Sequence, residues 1–265
     1  MEGASDTLQG LRAWLPAQGL GAELHYFATL DSTQAAALAA GQAGAPEGAL
    51  FVAERQTRGR GRHGHSWSSP PGAGIYASLL LRPRRPAAAL LPLTLAAALA
   101  VADAVGEVAG LEPEIRWPND LLLGGKKFCG LLIETTSSGG EDLAVLGFGI
   151  NVRPQAWPPE LAELATTLDQ HTPQPIPRAQ LCAAVVRQVE RRYRTWSAGG
   201  DAALLQEFAA RCPGVRGRAV VVGGAGDPAA AYTGHTEGLE PSGFLRVRLQ
   251  DGSLRVVTQG DVRPE

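Results

Sequence analysis

The sequence predicts an α+β fold: a mixed, mostly antiparallel sheet with helices packed on it, followed by a small C-terminal β-barrel. Three observations carry this. Strand-like runs arrive in hairpins and not in regularly alternating βαβ units, which disfavours a Rossmann-type parallel sheet. A long run rich in alanine and leucine, Leu91–Ala109, supplies a buried helix. From about Val215 the texture changes to short strands with glycine-rich breaks. The expected division is residues 1–213 and 214–265, and 265 residues suffice to bury a sizeable core.

Leu8, Leu11 and Leu15 share one helical face until Pro16 disfavours continuation. ELHYFATL (23–30) reads as a strand and runs into DSTQAAALAAG (31–41). The latter is a short alanine-rich helix that Asp31 or Ser32 can cap and Gly41 can end. GALFVAER (48–55) and GIYASLLL (74–81) are apolar runs of strand length, and Pro92 is tolerated in the first turn of the helix after them. EIRWPND (114–120) begins a hairpin in which LLL (121–123) turns at Gly124–Gly125 and KFCGLLIE (127–134) comes back. LAVLGFGINV (143–152) is a further strand, with Asn151 just beyond its glycine-broken end. Helical segments are expected near 159–168, 178–196 and 202–210. In the second, Leu181, Val185, Val189 and Trp196 share a face opposite a solvated one with Arg187, Arg191 and Arg194. The barrel strands are RAVVV (218–222), AAYTGHTEG (230–238) and FLRVRLQDGSLRVV (244–257).

Composition excludes several classes. Hydrophobic residues make up 45% and charged residues 19%, with a formal net charge of −2, which argues against a dedicated nucleic-acid binder. Cys129, Cys182 and Cys212 lack CxxC spacing, so a reduced, cytoplasmic chain fits better than a disulfide framework or a zinc site. MEGASDTLQG has no basic region followed by an apolar core, hence no export signal is expected. The apolar run Ala87–Ala102 contains Pro92 and Thr94 and falls short of the ~20 residues a membrane span needs, so it reads as a buried helix.

Against that balance one stretch stands out. RGRGRHGH (58–65) holds only basic side chains and glycine. Glycine between arginines lets backbone N–H groups and guanidinium forks converge on one anion. A solvated linker would have the same composition, but this loop leaves one strand, is flanked by Gln56 and Trp67, and returns through SSPPGAG into another. That placement suits a ligand lid. Neither a P-loop nor a GxGxxG-to-helix motif is present.

A second cluster is RWPNDLLLGGKKFCGLLIE (116–134). Pro118 stiffens the turn that holds Asn119 and Asp120. The hairpin places Lys127 close to Gly130, where a missing side chain lets a ligand lie against the backbone. The alternative is a capped turn followed by two solvent-facing lysines. GFGINV (147–152) is the third and weakest cluster.

Together and in this order the segments resemble the catalytic domain of biotin–protein ligases. The matching pieces are DST (31–33), QTRGRGRHG (56–64) with Trp67, RWPND (116–120), KKFCGLLIE (126–134) and GFGIN (147–151). The likeness runs from about His25 to Arg153, more loosely beyond. It implies a class II synthetase-like catalytic domain with an SH3-like terminal barrel. It also implies an ATP- and Mg²⁺-dependent, AMP-forming ligase that makes biotinoyl-5′-adenylate. Biotin then passes to one lysine of a carrier domain, that of acetyl-CoA carboxylase or a related biotin-dependent carboxylase. By the same resemblance Ser32, Thr33, Gln56, Gly59, Arg60, Arg62, Lys127, Gly130 and Gly147 would meet biotin. Arg62, His63, Trp67, Asn119, Lys127 and Asn151 would meet the nucleotide, and Lys127, Arg62 and Asp120 would carry the chemistry. No metal ligands are assigned, and a homodimer is possible.

Where His63 and His65 stand, many relatives have arginine or lysine. Histidine changes charge around neutral pH, so the loop would hold an adenylate less well as pH rises. There are two rivals, an enzyme of the same broad class and a binding protein. A lipoate–protein ligase would share the fold, but the glycine- or serine-rich motif expected there is absent. A biotin-responsive DNA repressor needs a helix-turn-helix, and the 24 residues before His25 hold one predicted helix. The form expected is therefore monofunctional, without a DNA-binding domain, a nucleic-acid partner or a membrane. Arg263 in the barrel is a further candidate contact.

Overall fold

The computed structural model describes residues 7–85, 89–138, 141–223, 231–258 and 262–265. Most of the stretch read for an export signal lies outside them, as do Ala87, Ala88 and Ala230. The first sheet contains β1 (Leu24–Phe27), β2 (Leu50–Ala53), β3 (Gly74–Leu81), β4 (Glu114–Arg116), β5 (Asp120–Leu123), β6 (Lys126–Ser138) and β7 (Glu141–Asn151). Their order is β1-β2-β3-β7-β6-β5-β4. β1 runs parallel to β2 and the other neighbours are antiparallel, as expected for a mixed sheet.

Side-chain alternation divides the core. Phe51, Leu80 and Val145 face α1 (Thr33–Gln42), while Leu50, Val52, Leu79 and Leu81 face the larger core of α2 (Leu91–Ala109) and α3 (Arg178–Ser197). β3 is buried at all eight positions because both faces are covered, which is why GIYASLLL carries no polar alternation. By length and composition α2 could cross a membrane, but here it is packed inside the fold from Pro92 to Val105, Thr94 and Asp103 being half-buried. Asp103 takes guanidinium groups from Arg192 of α3 at 2.5 Å and Arg211 of α4 (Asp201–Arg211) at 2.6 Å. Those pairs hold its carboxyl below the usual range despite desolvation.

Several elements differ from the reading of the sequence. Leu8–Trp14 is a 3-10 helix, in which Leu8 and Leu11, three apart, stack on one buried edge. The strand from Glu23 stops at Phe27. Ser32, not Asp31, caps α1 by accepting from Ala35 N at 3.4 Å. Gly41 lies inside the last turn of α1, where a Cβ would stand 2.7 Å from Leu80 Cδ1. Asn151 is the last residue of β7, and the glycines before it stay in register instead of breaking the strand. The helix expected near 159–168 is absent. Residues 159–164 form turns, and Leu164–Thr166 pairs with Lys127 through Lys127 N to Leu164 O (2.8 Å) and Thr166 N to Lys127 O (3.0 Å). Backbone pairing outweighs the helix propensity of ELAELA.

The second sheet contains β8 (Arg216–Val222), β9 (Tyr232–Leu239), β10 (Leu245–Arg248), β11 (Leu254–Val257) and β12 (Val262–Pro264), in the order β11-β10-β9-β8-β12. All its pairings are antiparallel, forming the small β unit expected after Val215. Val220, Val222, Leu245, Val247 and Val257 fill its interior.

Candidate active site

β2 delivers the chain into the basic loop, which is a tight irregular hairpin. Its rungs are Gln56 N to Ser69 O (3.2 Å), Trp67 N to Gly59 O (2.9 Å) and Gly61 N to His65 O (2.7 Å). Gly59 has to be glycine, since a Cβ would stand 2.4 Å from Trp67 O. Asp31 accepts from Arg58 and Thr57 at the base of the loop, and these bonds hold its carboxyl low. Farther out Arg60 pairs with Glu134 of β6 at 2.9 Å. His63 adopts φ +54°, a left-handed conformation uncommon outside glycine.

Facing the loop is the β5–β6 hairpin. Asp120 pairs with Gly130 and Leu121 with Cys129, but Leu122 pairs with Lys127, so Phe128 is an extra residue and forms a bulge. In an unbroken strand Lys127 and Gly130, three apart, would face opposite sides of the sheet. The bulge turns Lys127 to the Gly130 side: a Cβ on Gly130 would lie 3.2 Å from Lys127 Nζ. Phe128 and Cys129 both go into the core.

Loop and hairpin enclose a cleft of about 560 Å³. Its floor is Gly130 of β6 paired with Gly149 of β7, with Gly147 beside them. The Trp67 indole lies on that floor, 2.9 Å from a Cβ on Gly130 and 2.4 Å from one on Gly149, so side chains there would evict it. At one end is a polar chain. Gln56 Oε1 accepts from Thr33 N (2.8 Å) and Oγ1 (3.1 Å), and Gln56 Nε2 donates to Ser69 Oγ (3.0 Å). Thr33 Oγ1 continues to Ser78 Oγ (2.9 Å), which meets Gln34 Oε1 (3.1 Å) beneath Gly147.

At the other end the cations gather. Arg62 Nη1 donates to Asn119 Oδ1 at 2.9 Å, and Asn119 Nδ2 donates to Leu131 O at 2.9 Å, so the amide is oriented at both atoms. The adjacent Asp120 accepts from Lys127 Nζ at 2.6 Å and from Arg116 Nη2 at 2.7 Å. Lys127 Nζ also sits 5.5 Å from the Trp67 ring centre. Arg263 of β12 lines the same cleft. The thiols take no part: burial drives Cys212 up to about 11, Cys182 up to about 12 and Cys129 upward also. Among the described residues no group of three or more His, Cys, Asp or Glu could hold a metal ion.

Of the residues expected here, Ser32, Thr33, Gln56, Arg60, Arg62, His63, Trp67, Asn119, Asp120, Lys127, Gly130, Gly147 and Asn151 all line the cleft. Gly59 does not; it acts one layer back, by letting the loop close on itself. The alternative of solvent-facing lysines holds for Lys126, which pairs with Glu163 at 3.3 Å at the surface, and fails for Lys127. The sequence reading missed the partners: Arg116, Glu134, Ser78, Gly149 and the wall of Trp157, Leu161 and Leu164. The alternation Gly147-x-Gly149 is a signal that could have shown the floor, since both residues point the same way on a strand. Ser78 and Glu134 carry no local mark.

Residues 26–151 match the biotin/lipoate A/B protein ligase family. The chain is 36% identical over 253 residues to the bifunctional ligase/repressor BirA of Bacillus subtilis, covering 93% of this chain and 75% of that protein. It is 36% identical over 179 residues to a biotin–[acetyl-CoA-carboxylase] ligase of Mycobacterium tuberculosis, 66% of this chain and 65% of that one. The biotin protein ligase of Aquifex aeolicus, solved in complex with biotin and ATP, superposes with a TM-score of 0.78 at 28% identity, covering 92% of this chain and 99% of the other.

Proposed function

The chain belongs to the biotin/lipoate A/B protein ligase family as a biotin protein ligase, and on that premise we propose how its cleft does the work. Biotin is activated with ATP as biotinoyl-5′-AMP and passed to a lysine of a biotin carboxyl carrier domain, that of acetyl-CoA carboxylase or a related carboxylase. The observation that carries this reading is the meeting of Arg62 and Lys127 through the neighbours Asn119 and Asp120, beside a floor of glycine.

In the first step a carboxylate oxygen attacks the α-phosphorus and the bond to the β-phosphate oxygen breaks, releasing pyrophosphate. Both reactants are anions, so the groups required are fixed cations, and no base is needed because the acid is already ionised at neutral pH. Lys127 is positioned to move from Asp120 onto the forming acyl-phosphate bond, with Arg62 holding the same group from the loop. The Thr33–Gln56–Ser69 chain suits the polar ureido end of biotin, and the glycine floor suits its fused ring once the Trp67 indole moves off it. Trp67, Trp157, Leu161 and Leu164 offer flat and apolar surfaces for the base. Mg²⁺ fits as part of the ATP substrate: it is commonly held by one or two carboxylates plus phosphate oxygens, so a dedicated cage is not needed. Asp120, Asn151 and Glu160 are oxygen donors in the cleft that would suit it.

In the second step a neutral lysine amine of the carrier attacks the acyl carbon, and AMP leaves. Asp120 is placed to take the amine's proton once Lys127 has moved away. Asp120→Asn is expected to slow transfer from preformed adenylate by ~10²-fold while unfolding like the parent. Single-turnover transfer from synthetic biotinoyl-AMP checks this, and an undiminished rate would leave Asp120 a role in the turn only. The whole reaction is tested by intact mass of a carrier domain incubated with the protein, ATP, Mg²⁺ and either biotin or lipoate. A biotin adduct is expected; a lipoate adduct alone would assign the other branch of the family.

A further inference from the structure

The cleft is tied to the C-terminal sheet at a point the reaction itself does not explain. Trp117 Nε1 donates to Gly243 O at 3.0 Å, a buried bond between residues 126 apart in sequence. Gly243 closes the turn between β9 and β10, held by Gly243 N to Glu240 O and Glu240 N to Phe244 O, both 2.8 Å. A Cβ on Gly243 would stand 3.2 Å from Leu95 Cδ1 and 3.4 Å from Leu205 Cδ2, so the turn is pressed against α2 and α4. The carbonyl is therefore offered from a fixed point. On the other side of the indole the chain continues through Pro118 to Asn119 and Asp120, the residues that hold Arg62 and Lys127.

We infer that Trp117 is a positioning residue, through which the C-terminal sheet fixes Asn119 and Asp120, and so Arg62 and Lys127, for adenylate formation. The inference rests on the reaction proposed above. The biotin end of the cleft hangs on α1, β2 and β3, which do not depend on this bond. Losing the tether thus affects the cations and spares the vitamin. A displacement of ~1 Å between reacting groups is enough to cost ~10²-fold in rate, so a small drift of the segment matters.

The test uses the full chain as Trp117→Phe, which keeps a ring and removes the donor, and as Gly243→Ala, which displaces the carbonyl and keeps the indole. Thermal unfolding, biotin affinity by calorimetry and biotin-dependent pyrophosphate release from ATP are measured on each. The expected result is a folded Trp117→Phe whose kcat falls ~10-fold or more with biotin affinity within ~2-fold of the parent, and the same split in Gly243→Ala. Parent-like turnover in folded Trp117→Phe would overturn the inference, as would equal proportional losses of affinity and kcat. If Trp117→Phe is unfolded at the assay temperature, Gly243→Ala decides on the same two criteria. A parent that releases no pyrophosphate sinks the proposed reaction, whereas an active parent with a parent-like Trp117→Phe sinks the positioning role alone.

Discussion

Lys127→Ala is expected to form biotinoyl-adenylate ~10²- to 10³-fold more slowly than the parent while unfolding at nearly the same temperature. The rate loss is that of one preorganised donor removed from a site of developing charge, ~3–4 kcal/mol. Stability is spared for structural reasons. The backbone of Lys127, and not its ammonium, makes the bonds to Leu164 and Thr166, and alanine retains them. Asp120 loses one partner and keeps Arg116 at 2.7 Å. Lys126→Ala is the control: it removes the same charge one residue away, from an exposed pair with Glu163 that contributes little. Pyrophosphate release measured on both variants separates a positioned ammonium from a general basic field. Equal activities would show that the field, and not Lys127, carries the step.

The largest loss of stability is expected from Arg178→Met. Arg178 is 2% exposed; its Nη1 donates to Glu54 Oε2 at 2.9 Å and to Gly74 O at 3.0 Å. Glu54 Oε1 in turn accepts from Leu8 N at 2.6 Å. One ion pair thus joins the N-terminal 3-10 helix, the end of β2, the start of β3 and the first turn of α3. Methionine fills much of the volume but strands the Glu54 carboxylate and the Gly74 carbonyl away from water. Breaking a buried pair from one side costs ~3–5 kcal/mol, enough to lower a denaturant midpoint substantially. Chemical unfolding of Arg178→Met beside Arg187→Met checks this, because Arg187 pairs with Glu107 at the surface and its loss should be nearly silent. A small effect at Arg178 would mean that water reaches Glu54.

How much of this was legible in the sequence depended on how local the cause was. The hairpin at Gly124–Gly125 was, because both residues need positive φ, +57° and +76°, and glycine supplies it. The strand GIYASLLL, the helix α2 and the arginine face of α3 were legible from apolar spacing alone. What failed was decided by distant neighbours. The segment ELAELATT has helical spacing, yet its Leu164 carbonyl and Thr166 amide are taken by Lys127, nearly forty residues earlier in the chain. The same holds in the site. Basic, amide and glycine residues announced themselves by type and order, so the polar ends of the cleft were found while its apolar wall of Trp157, Leu161 and Leu164 was not. Their partners were not, since Ser78, Glu134 and the Gly243 carbonyl are ordinary until folding brings them near Thr33, Arg60 and Trp117.

The displaced residue at Phe128 has a consequence for engineering and for natural variation alike. Whether the key ammonium faces substrate or protein interior is settled by counting, not by which amino acids stand nearby. Inserting one residue between Leu121 and Leu122 would leave every motif recognisable and give Phe128 a partner, restoring an uninterrupted ladder, yet Lys127, three residues from Gly130, would then face the opposite side, into apolar surroundings that cannot solvate it. Such a chain would pass any inspection for the expected signature and still be inert, so spacing between the two halves of that hairpin is as diagnostic as the letters themselves.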